Sequence, residues 1–373
     1  MGVHTALKPE TSHIDGFRRS VIFAAQMSKK LRYALLIVAI GGALIFVTAA
    51  FLLARTPPLE TLPSPNGYDD LLGASKSVTH QLDDVNTLDL TGLRVLIETN
   101  AERLQLARVG LRRRCAVPTD SIIANFGSIT TDLVGLKMLA KLFFAEGRLE
   151  ELENQPGAAA RTYVDAIRLG SAMSQGGLMI NRLVGVACEG IGGVPLAKLI
   201  PKLSCGEAKP LIQELEEIDT NTVKWAVISK NENRFARSQM GNYPNPIKFA
   251  WELWQARSLR TTGQNSHALA VARLRLLTAE LALRCYRSDQ GSAPARLDQL
   301  VPKYLQQVPT DPFSNRPLVY RPQGTNWVLY SLGPDRVDDG GKSVGKNPSG
   351  VYIVGFEKKP PVTKGDVFYN SPW

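Results

Sequence analysis

An apolar stretch without any charged residue is the clearest feature near the N-terminus. Residues 33–54 read YALLIVAIGGALIFVTAAFLLA, and twelve of these 22 residues are Leu, Ile, Val or Phe. A helix of this length is about 33 Å long, which matches the roughly 30 Å hydrocarbon core of a membrane. Gly41 and Gly42 are common in membrane helices and unfavourable in soluble ones. The pattern therefore predicts one transmembrane helix over 33–54.

Beyond this segment, apolar residues recur at the spacing of amphipathic helices. Residues 55–67 contain four prolines, which favour an extended spacer. Residues 68–265 are then predicted to form a mainly helical domain. Within it, the apolar stretch 178–200 contains Arg182 and Glu189. These charges indicate a helix buried in a soluble domain rather than a second membrane span.

The pattern changes again toward the C-terminus. Residues 241–265 look less regular than the helices before them, and 266–290 read as one long amphipathic helix that Gly291 ends. A rigid Pro-Thr-Asp-Pro-Phe corner follows. Alternating apolar and polar residues then predict short strands at 317–321, 326–332 and 350–356.

These elements together predict an α+β protein with one transmembrane helix, a mainly helical extracytoplasmic domain and a small C-terminal module of a helix and an antiparallel sheet. The expected parts are a cytoplasmic tail (1–32), the transmembrane helix (33–54), the spacer (55–67), the helical domain (68–265), the α+β module (266–356) and a C-terminal tail (357–373).

The charges that flank the apolar segment predict its orientation. Basic residues precede it closely and mostly acidic ones follow it: Arg18, Arg19, Lys29, Lys30 and Arg32 before, and Arg55, Glu60, Asp69 and Asp70 after. The positive-inside rule then places the N-terminus in the cytoplasm and the bulk of the chain outside a bacterial inner membrane. A cleaved signal peptide is the alternative, but its apolar region is shorter, about 7–15 residues. Met27 is a second candidate start of the chain, beside Met1.

Composition and charge narrow the classes of function. The chain is 44% hydrophobic and 21% charged, as folded proteins are. Its formal net charge is +10, but six basic and two acidic residues of the tail 1–32 carry +4 of that. The mild remaining bias does not predict nucleic-acid binding.

The cysteines and histidines do not form a recognisable reactive motif. The cysteines are Cys115, Cys188, Cys205 and Cys285, and no two of them form a C-x-x-C pair that would suggest zinc. An oxidising compartment would permit a disulfide of open pairing, and four buried thiols are the alternative. Outside the tail the histidines are His80 and His267, and the H-E-x-x-H and G-x-S-x-G motifs are absent. A Ser–His or Cys–His pair assembled by the fold stays open.

Residues 139–170 resemble a single tetratricopeptide hairpin. The matching residues are Leu139, Ala140, Gly147, Arg148, Tyr163, Ala166 and Ile167. An insertion near 154–157 departs from the pattern, and no second copy follows at the 34-residue period of an array. The resemblance implies two packed helices with these residues in the core, and generic helix packing implies the same.

Residues 266–356 resemble the C-terminal part of type II secretion pseudopilins. The matching residues are Tyr286, Asp289, Gly291, Pro294, Leu297, Leu300, Tyr320 and the segments 309–313 and 329–341. A pseudopilin, however, carries its apolar helix directly after a Gly-Phe processing site. Here Gly16-Phe17 is followed by basic and polar residues, so a borrowed fold is expected and not a pilus subunit.

The same resemblance implies a calcium site, because in that family the loop after the matching Leu-Gly-x-Asp element binds calcium. Asp335, Asp338, Asp339 and Ser343, with the carbonyl oxygen of Leu332, would supply the oxygen ligands that this hard cation prefers. A solvated Asp/Gly turn is the alternative.

The sequence therefore favours a membrane-anchored extracytoplasmic scaffold or binding protein without catalytic activity, whose partners are the membrane and another protein of the cell envelope. One alternative is an accessory component of a type II secretion or pilus-like assembly. The other is an envelope hydrolase whose site lies between the two soluble parts and contains His267 or the 335–339 loop.

Overall fold

The computed structural model describes Tyr33, Val38, Ile40 and Gly41, and then residues 61–76, 85–240, 246–342 and 365–370. For residue 240 and for 246–258 it describes the backbone alone. The chain divides into two compact units, 1–60 and 61–373.

In the first unit the four described residues are all helical. The side chains of Tyr33, Val38 and Ile40 are each more than half exposed. Large apolar side chains thus point outward from a helical backbone within the predicted transmembrane segment. The rest of that segment, the tail 1–32 and residues 55–60 of the spacer lie outside the described residues.

The described part of 61–373 is mainly helical. Its α-helices, in chain order, are α1 (Gly67–Ser75), α2 (Leu90–Thr99), α3 (Ala101–Arg112), α4 (Thr119–Ala124), α5 (Ile129–Leu152), α6 (Pro156–Ala172), α7 (Met179–Leu199), α8 (Cys205–Asn221), α9 (Trp225–Met240) and α10 (Pro246–Gln290). Short 3-10 turns occupy Phe126–Ser128, Ile200–Lys202 and Leu297–Leu300. The strands are β1 (Val319–Gln323) and β2 (Asn326–Tyr330).

Two apolar clusters form the core, and α6 and α7 belong to both. The first cluster contains residues of α1 to α3 and α5, and the second contains residues of α8, α10 and the C-terminal hairpin. Within α6, Leu169 lies in the first cluster and Val164 in the second. The helical part and the C-terminal part therefore pack into one compact unit.

Glycines allow α6 and α7 to approach closely. A Cβ atom on Gly170 would lie 2.3 Å from the carbonyl oxygen of Gly185, and one on Gly192 would lie 2.2 Å from that of Tyr163. Both distances are well inside van der Waals contact, so a larger residue would push the helices apart. The glycines of the 178–200 stretch thus serve helix packing.

By length and apolarity, the segment Met179–Lys202 is also suited to cross a membrane. Of its most apolar window, 61% is buried against the rest of the protein. Arg182 and Glu189 lie on it and form a buried ion pair with each other. These contacts agree with the prediction of a helix inside a soluble domain.

The helices α5 and α6 pack as a hairpin over the residues that resemble a tetratricopeptide unit. Leu139, Ala140, Ala166 and Ile167 are buried. A Cβ atom on Gly147 would lie 2.5 Å from the ring of Tyr163, so the ring takes the space that this glycine leaves. The two-helix packing is as expected, and membership of the repeat family stays a prediction.

The long helix α10 begins at Pro246, about twenty residues before the helix that the sequence predicts. The expectation that 241–265 is irregular is therefore wrong from residue 246 onward. Proline is favourable at the first position of a helix, where its missing N–H has no partner to lose. The predicted boundary between 265 and 266 falls inside this helix.

The C-terminal strands form one antiparallel hairpin, with Val319 opposite Tyr330 and Gln323 opposite Asn326. Its two-residue turn places Gly324 at φ +63°, a conformation that glycine adopts without strain. The first strand starts two residues later than predicted, because Pro317 pairs instead with Thr310 in an isolated bridge. The predicted strand 350–356 lies outside the described residues.

Several polar side chains attach this hairpin to the rest of the unit. The indole N–H of Trp327 donates to Glu280 of α10 at 2.8 Å, and the Tyr320 hydroxyl donates to the carbonyl oxygen of Pro294 at 2.7 Å. Asp311, in the Pro-Thr-Asp-Pro-Phe corner, is buried and accepts from the backbone N–H of Leu332 at 2.9 Å. The corner thus holds the end of the hairpin in place.

Candidate functional site

A short basic loop follows the C-terminal end of α3. Arg112 is the last residue of the helix, and Arg113 is extended, with φ −93° and ψ 160°. The side chain of Asn66 donates to the carbonyl oxygen of Ala116 at 2.8 Å and accepts from its N–H at 3.0 Å. The N–H of Gly67 donates to the carbonyl oxygen of Arg114 at 2.9 Å. The start of α1 therefore holds this loop by its backbone.

A partly buried charge network attaches the same helix to its neighbours. Arg108 of α3 contacts Glu146 of α5 at 2.6 Å and Asp165 of α6 at 2.8 Å. Burial raises the pKa of Asp165, and hydrogen bonding to Arg108 acts against that shift. This network sets the distance between the end of α3 and α6.

Where the ends of α3, α6 and α8 meet, they enclose a cleft of about 350 Å³. Binding pockets for small ligands start at roughly this volume. We call it the arginine cleft. Its lining consists of Leu111, Arg112, Arg113, Arg114, Cys115, Arg168, Ser171, Ala172, Gln175, Glu217, Ile218 and Asn221.

The arginines of the cleft differ in how they are neutralised. Arg113 pairs with Asp70 of α1 at 2.7 Å, and Arg168 pairs with Glu214 of α8 at 2.9 Å. Arg112 and Arg114 are exposed and form no ion pair with any residue that the structure describes. The charge of Arg112 acts against the rise that burial causes in the pKa of Asp165, and Glu217 is the one carboxylate of the lining, 3.8 Å from Arg168. The cleft therefore keeps two guanidinium groups without an ion pair, which are suited to an anionic ligand.

Cys115 lies in the same cleft and is half-buried. Burial raises the pKa of its thiol to about 12, and the nearby Asp70 adds to the shift. The thiol is therefore protonated at neutral pH, whereas the thiolate is the form that acts as a nucleophile or metal ligand. Cys115 contributes shape and a weak hydrogen-bond donor to the cleft.

The structure places the predicted calcium ligands in different roles. Asp338 accepts from the hydroxyl of Tyr330 at 2.6 Å and pairs with Arg321 at 2.7 Å. Hydrogen bonding to Tyr330 lowers the pKa of Asp338. Asp335 accepts from the N–H of Val337 in a turn, at 3.3 Å. Ser343 lies outside the described residues.

A carboxylate that the sequence did not single out joins this loop. Asp366 is fully buried and accepts from the N–H of Gly341 at 2.8 Å. One of its oxygens and one of Asp339 are buried without a hydrogen-bond partner, and burial raises the pKa of Asp366. Two carboxylate oxygens without a hydrogen-bond partner supply part of the ligand set that a cation needs. The described residues do not bring three or more acidic, His or Cys side chains into metal-binding geometry, so calcium here stays a prediction.

His267, the other candidate for chemistry, belongs to a buried polar cluster. Its Nδ1 accepts from Nε of Arg182 at 2.9 Å, and Arg182 in turn pairs with Glu189. Burial, together with the positive charge of Arg182, lowers the pKa of His267 to about 3. A neutral imidazole that already accepts from a guanidinium is a poor general base. The cluster joins α7 to α10.

Sequence reasoning missed the arginine cleft. The run from Arg112 to Arg114 is visible in the sequence, but a basic run at this place is also what the C-terminus of a helix favours, so it does not by itself indicate a site. Arg168 and Asn221 come from distant parts of the chain, and no spacing pattern links them to that run. No protein-family model, no curated protein and no solved structure matches this chain.

Proposed function

We propose that the protein is a membrane-anchored binding protein whose bulk lies outside the cytoplasm and whose ligand occupies the arginine cleft. The observation that carries this proposal is the cleft itself. It combines a ligand-sized volume with two guanidinium groups that form no ion pair with a described residue, where α3 ends in the loop that Asn66 holds by hydrogen bonds.

Two features support the anchor and its orientation. The uncharged segment 33–54 has the length of a membrane span, and basic residues precede it. In addition, Cys205 and Cys285 form a disulfide bond with a Cα–Cα distance of 5.0 Å. Structural disulfides persist in oxidising compartments and are rare in the bacterial cytoplasm. The disulfide therefore supports an extracytoplasmic location of α8 and α10.

The chemistry of the cleft supports binding over catalysis. Its polar groups are guanidinium, hydroxyl and amide groups, with one glutamate, and the thiol of Cys115 is protonated. Such groups recognise and orient a ligand. A hydrolase that forms a covalent intermediate would need an activated nucleophile, and the protonated thiol of Cys115 does not supply one. His267, which the hydrolase hypothesis names, accepts from Arg182 instead.

The location is tested by fusing reporters after Trp373 in a bacterial host. Alkaline phosphatase folds only outside the cytoplasm, and green fluorescent protein fused directly in this way fluoresces only inside it. We expect an active phosphatase, a dark fluorescent protein, and a full-length chain that stays with the membrane after alkaline carbonate washing. A fluorescent fusion together with an inactive phosphatase would overturn the proposed orientation. Recovery of the chain in the soluble fraction would overturn the anchor.

A role as an accessory component of a secretion or pilus-like assembly rests on the resemblance of 266–356 alone. It predicts that inner-membrane components of such a machine co-purify with the full chain.

A further inference from the structure

Arg112 and Arg114 are two positions apart at the end of α3. Arg112 is the last helical residue, and Arg113 between them is extended, a conformation that rises about 3.3 Å per residue. Their Cα atoms are therefore about 7 Å apart. The side chain of Arg113 is held by Asp70. Two long, exposed basic side chains thus start close together beside the cleft.

An extended peptide repeats its side chains on one face with the same period of about 7 Å. Two carboxylates at alternate positions of such a peptide match the separation of the Cα atoms of Arg112 and Arg114, and the exposed guanidinium groups can reach them. Guanidinium groups bind carboxylates through paired, charge-assisted hydrogen bonds.

The remaining lining also suits a peptide. Leu111, Ala172 and Ile218 offer apolar contact. The side-chain amide of Asn221 can bond a peptide backbone, and Gln175, whose amide N–H donates to the carbonyl oxygen of Asn221, keeps its side-chain oxygen as an acceptor. A mixed apolar and polar lining is typical of sites that bind a protein segment. A phosphate headgroup at a membrane surface would use the arginines but not this apolar floor.

The loop is held in place before a ligand arrives. Both backbone hydrogen bonds of Ala116 to Asn66, and that of Arg114 to Gly67, lie on the side of the loop that faces α1. Only the long side chains of Arg112 and Arg114 have to become ordered on binding. Such preorganisation lowers the entropic cost of binding.

We propose that the arginine cleft binds an extended acidic segment of another envelope protein, with carboxylates at alternate positions against Arg112 and Arg114. This proposal rests on the proposed binding function and names the class of its ligand.

The test uses the full chain in detergent micelles and a synthetic octapeptide in which glutamate alternates with alanine, with an uncharged fluorophore at its N-terminus. Fluorescence anisotropy measures binding. A second peptide carries glutamine in place of every glutamate. A third is a decapeptide with the same four glutamates at every third position among alanines, so that it keeps the charge and has no two glutamates at alternate positions.

We expect the alternating glutamate peptide to bind more tightly than the other two. Raising the salt from about 0.05 M to about 0.5 M should weaken it, because charges at a surface are screened. The double variant Arg112→Gln/Arg114→Gln should lose about tenfold or more in affinity, since both charge-assisted contacts are lost.

A control with the same change in net charge is Arg94→Gln/Arg296→Gln. Both residues are more than half exposed, each forms a surface ion pair, and neither lines the cleft. It should bind the alternating peptide as the unchanged protein does. The charge-swapped variant Arg112→Glu/Arg114→Glu should bind a peptide of alternating lysine and alanine. Both cleft variants should melt at the temperature of the unchanged protein, because Arg112 and Arg114 are exposed.

Equal binding of the glutamate and glutamine peptides, or unchanged binding by the double glutamine variant, would overturn the inference. A third result would also overturn it: the unchanged protein binds nanodiscs that contain anionic lipid, the double glutamine variant does not bind them, and no peptide binds either protein. These results leave the reporter fusions unaffected, so failure of the ligand class and failure of the location are distinguishable.

Discussion

The disulfide between Cys205 and Cys285 allows a prediction with a worked magnitude. Cys205 is the first residue of α8, Cys285 lies near the end of α10, and they are 80 residues apart in sequence. Cys285 is almost fully buried in the core that α8 and α10 share. The bond therefore joins two packed helices that are distant along the chain. We consider the double substitution Cys205→Ala/Cys285→Ala, which removes both cysteines of the bond and so leaves neither of them as an unpaired thiol.

The expected cost follows from the entropy of the unfolded chain. Closing a loop of this length lowers that entropy enough to stabilise the folded state by about 4.5 kcal/mol at 25 °C. Removal of native disulfides costs about 2–5 kcal/mol in practice. At about 2–4 °C per kcal/mol, the melting temperature should fall on the order of 10 °C.

The assay is thermal unfolding of the full chain in detergent, followed by tryptophan fluorescence, with and without a reductant. The unchanged protein should melt at a lower temperature once it is reduced. The double variant should melt at that lower temperature in both conditions, which makes it the control for effects of the reductant on Cys115 and Cys188. Alkylation of thiols after the cells are quenched and denatured in acid, which exposes the buried Cys188, should leave two of the four cysteines unmodified.

If all four cysteines are alkylated, or if reduction leaves the melting temperature unchanged, the reasoning is refuted. The first result would also remove the support that the disulfide gives to an extracytoplasmic location. The second would show that α8 and α10 are held together by packing alone.

Three further predictions concern buried charges. Glu189→Gln leaves the charge of Arg182 buried without its partner and should lower the free energy of unfolding by about 3–5 kcal/mol, whereas Glu153→Gln breaks an exposed pair and should cost less than about 1 kcal/mol. Because the pKa of His267 is lowered to about 3 in the folded state, the unfolded state binds a proton first as the pH falls below about 6.5. Stability should therefore drop by about 2 kcal/mol between about pH 7 and pH 5, and His267→Gln should reduce that slope. Calcium should raise the melting temperature of the unchanged protein and not that of Asp366→Asn, because the orphaned oxygen of Asp366 is the group that a cation would satisfy.

Urea unfolding measures the first two effects and differential scanning fluorimetry the third. Equal losses in the two glutamate variants would contradict the buried ion pair. If the free energy of unfolding depends on pH equally in the unchanged protein and in His267→Gln, that dependence comes from other titratable groups. A melting temperature that neither calcium nor EGTA moves would remove the metal site from the 335–339 loop.

Much of the local structure could be predicted from the sequence, because helices and hairpins are specified by contacts between neighbouring residues. The spacing of apolar residues predicted a mainly helical chain, and the alternation of apolar and polar residues predicted the two strands of the hairpin. Boundaries were less accurate. Pro246 was interpreted as part of an irregular stretch, whereas it begins α10. Proline permits both outcomes, so this residue alone does not decide between them.

The sequence by itself determined a charge-free segment of membrane length and a helical chain with a C-terminal hairpin. Tertiary structure alone decided which cysteines meet, which arginines stay unpaired and which carboxylate joins the acidic loop. Cys205 and Cys285 are 80 residues apart, and Asp366 reaches Gly341 from 25 residues away. The physical reason is that periodicity describes which face of an element is apolar. It contains no information about which distant face that element will meet, since many pairings bury similar area and only the packing of the whole unit selects one.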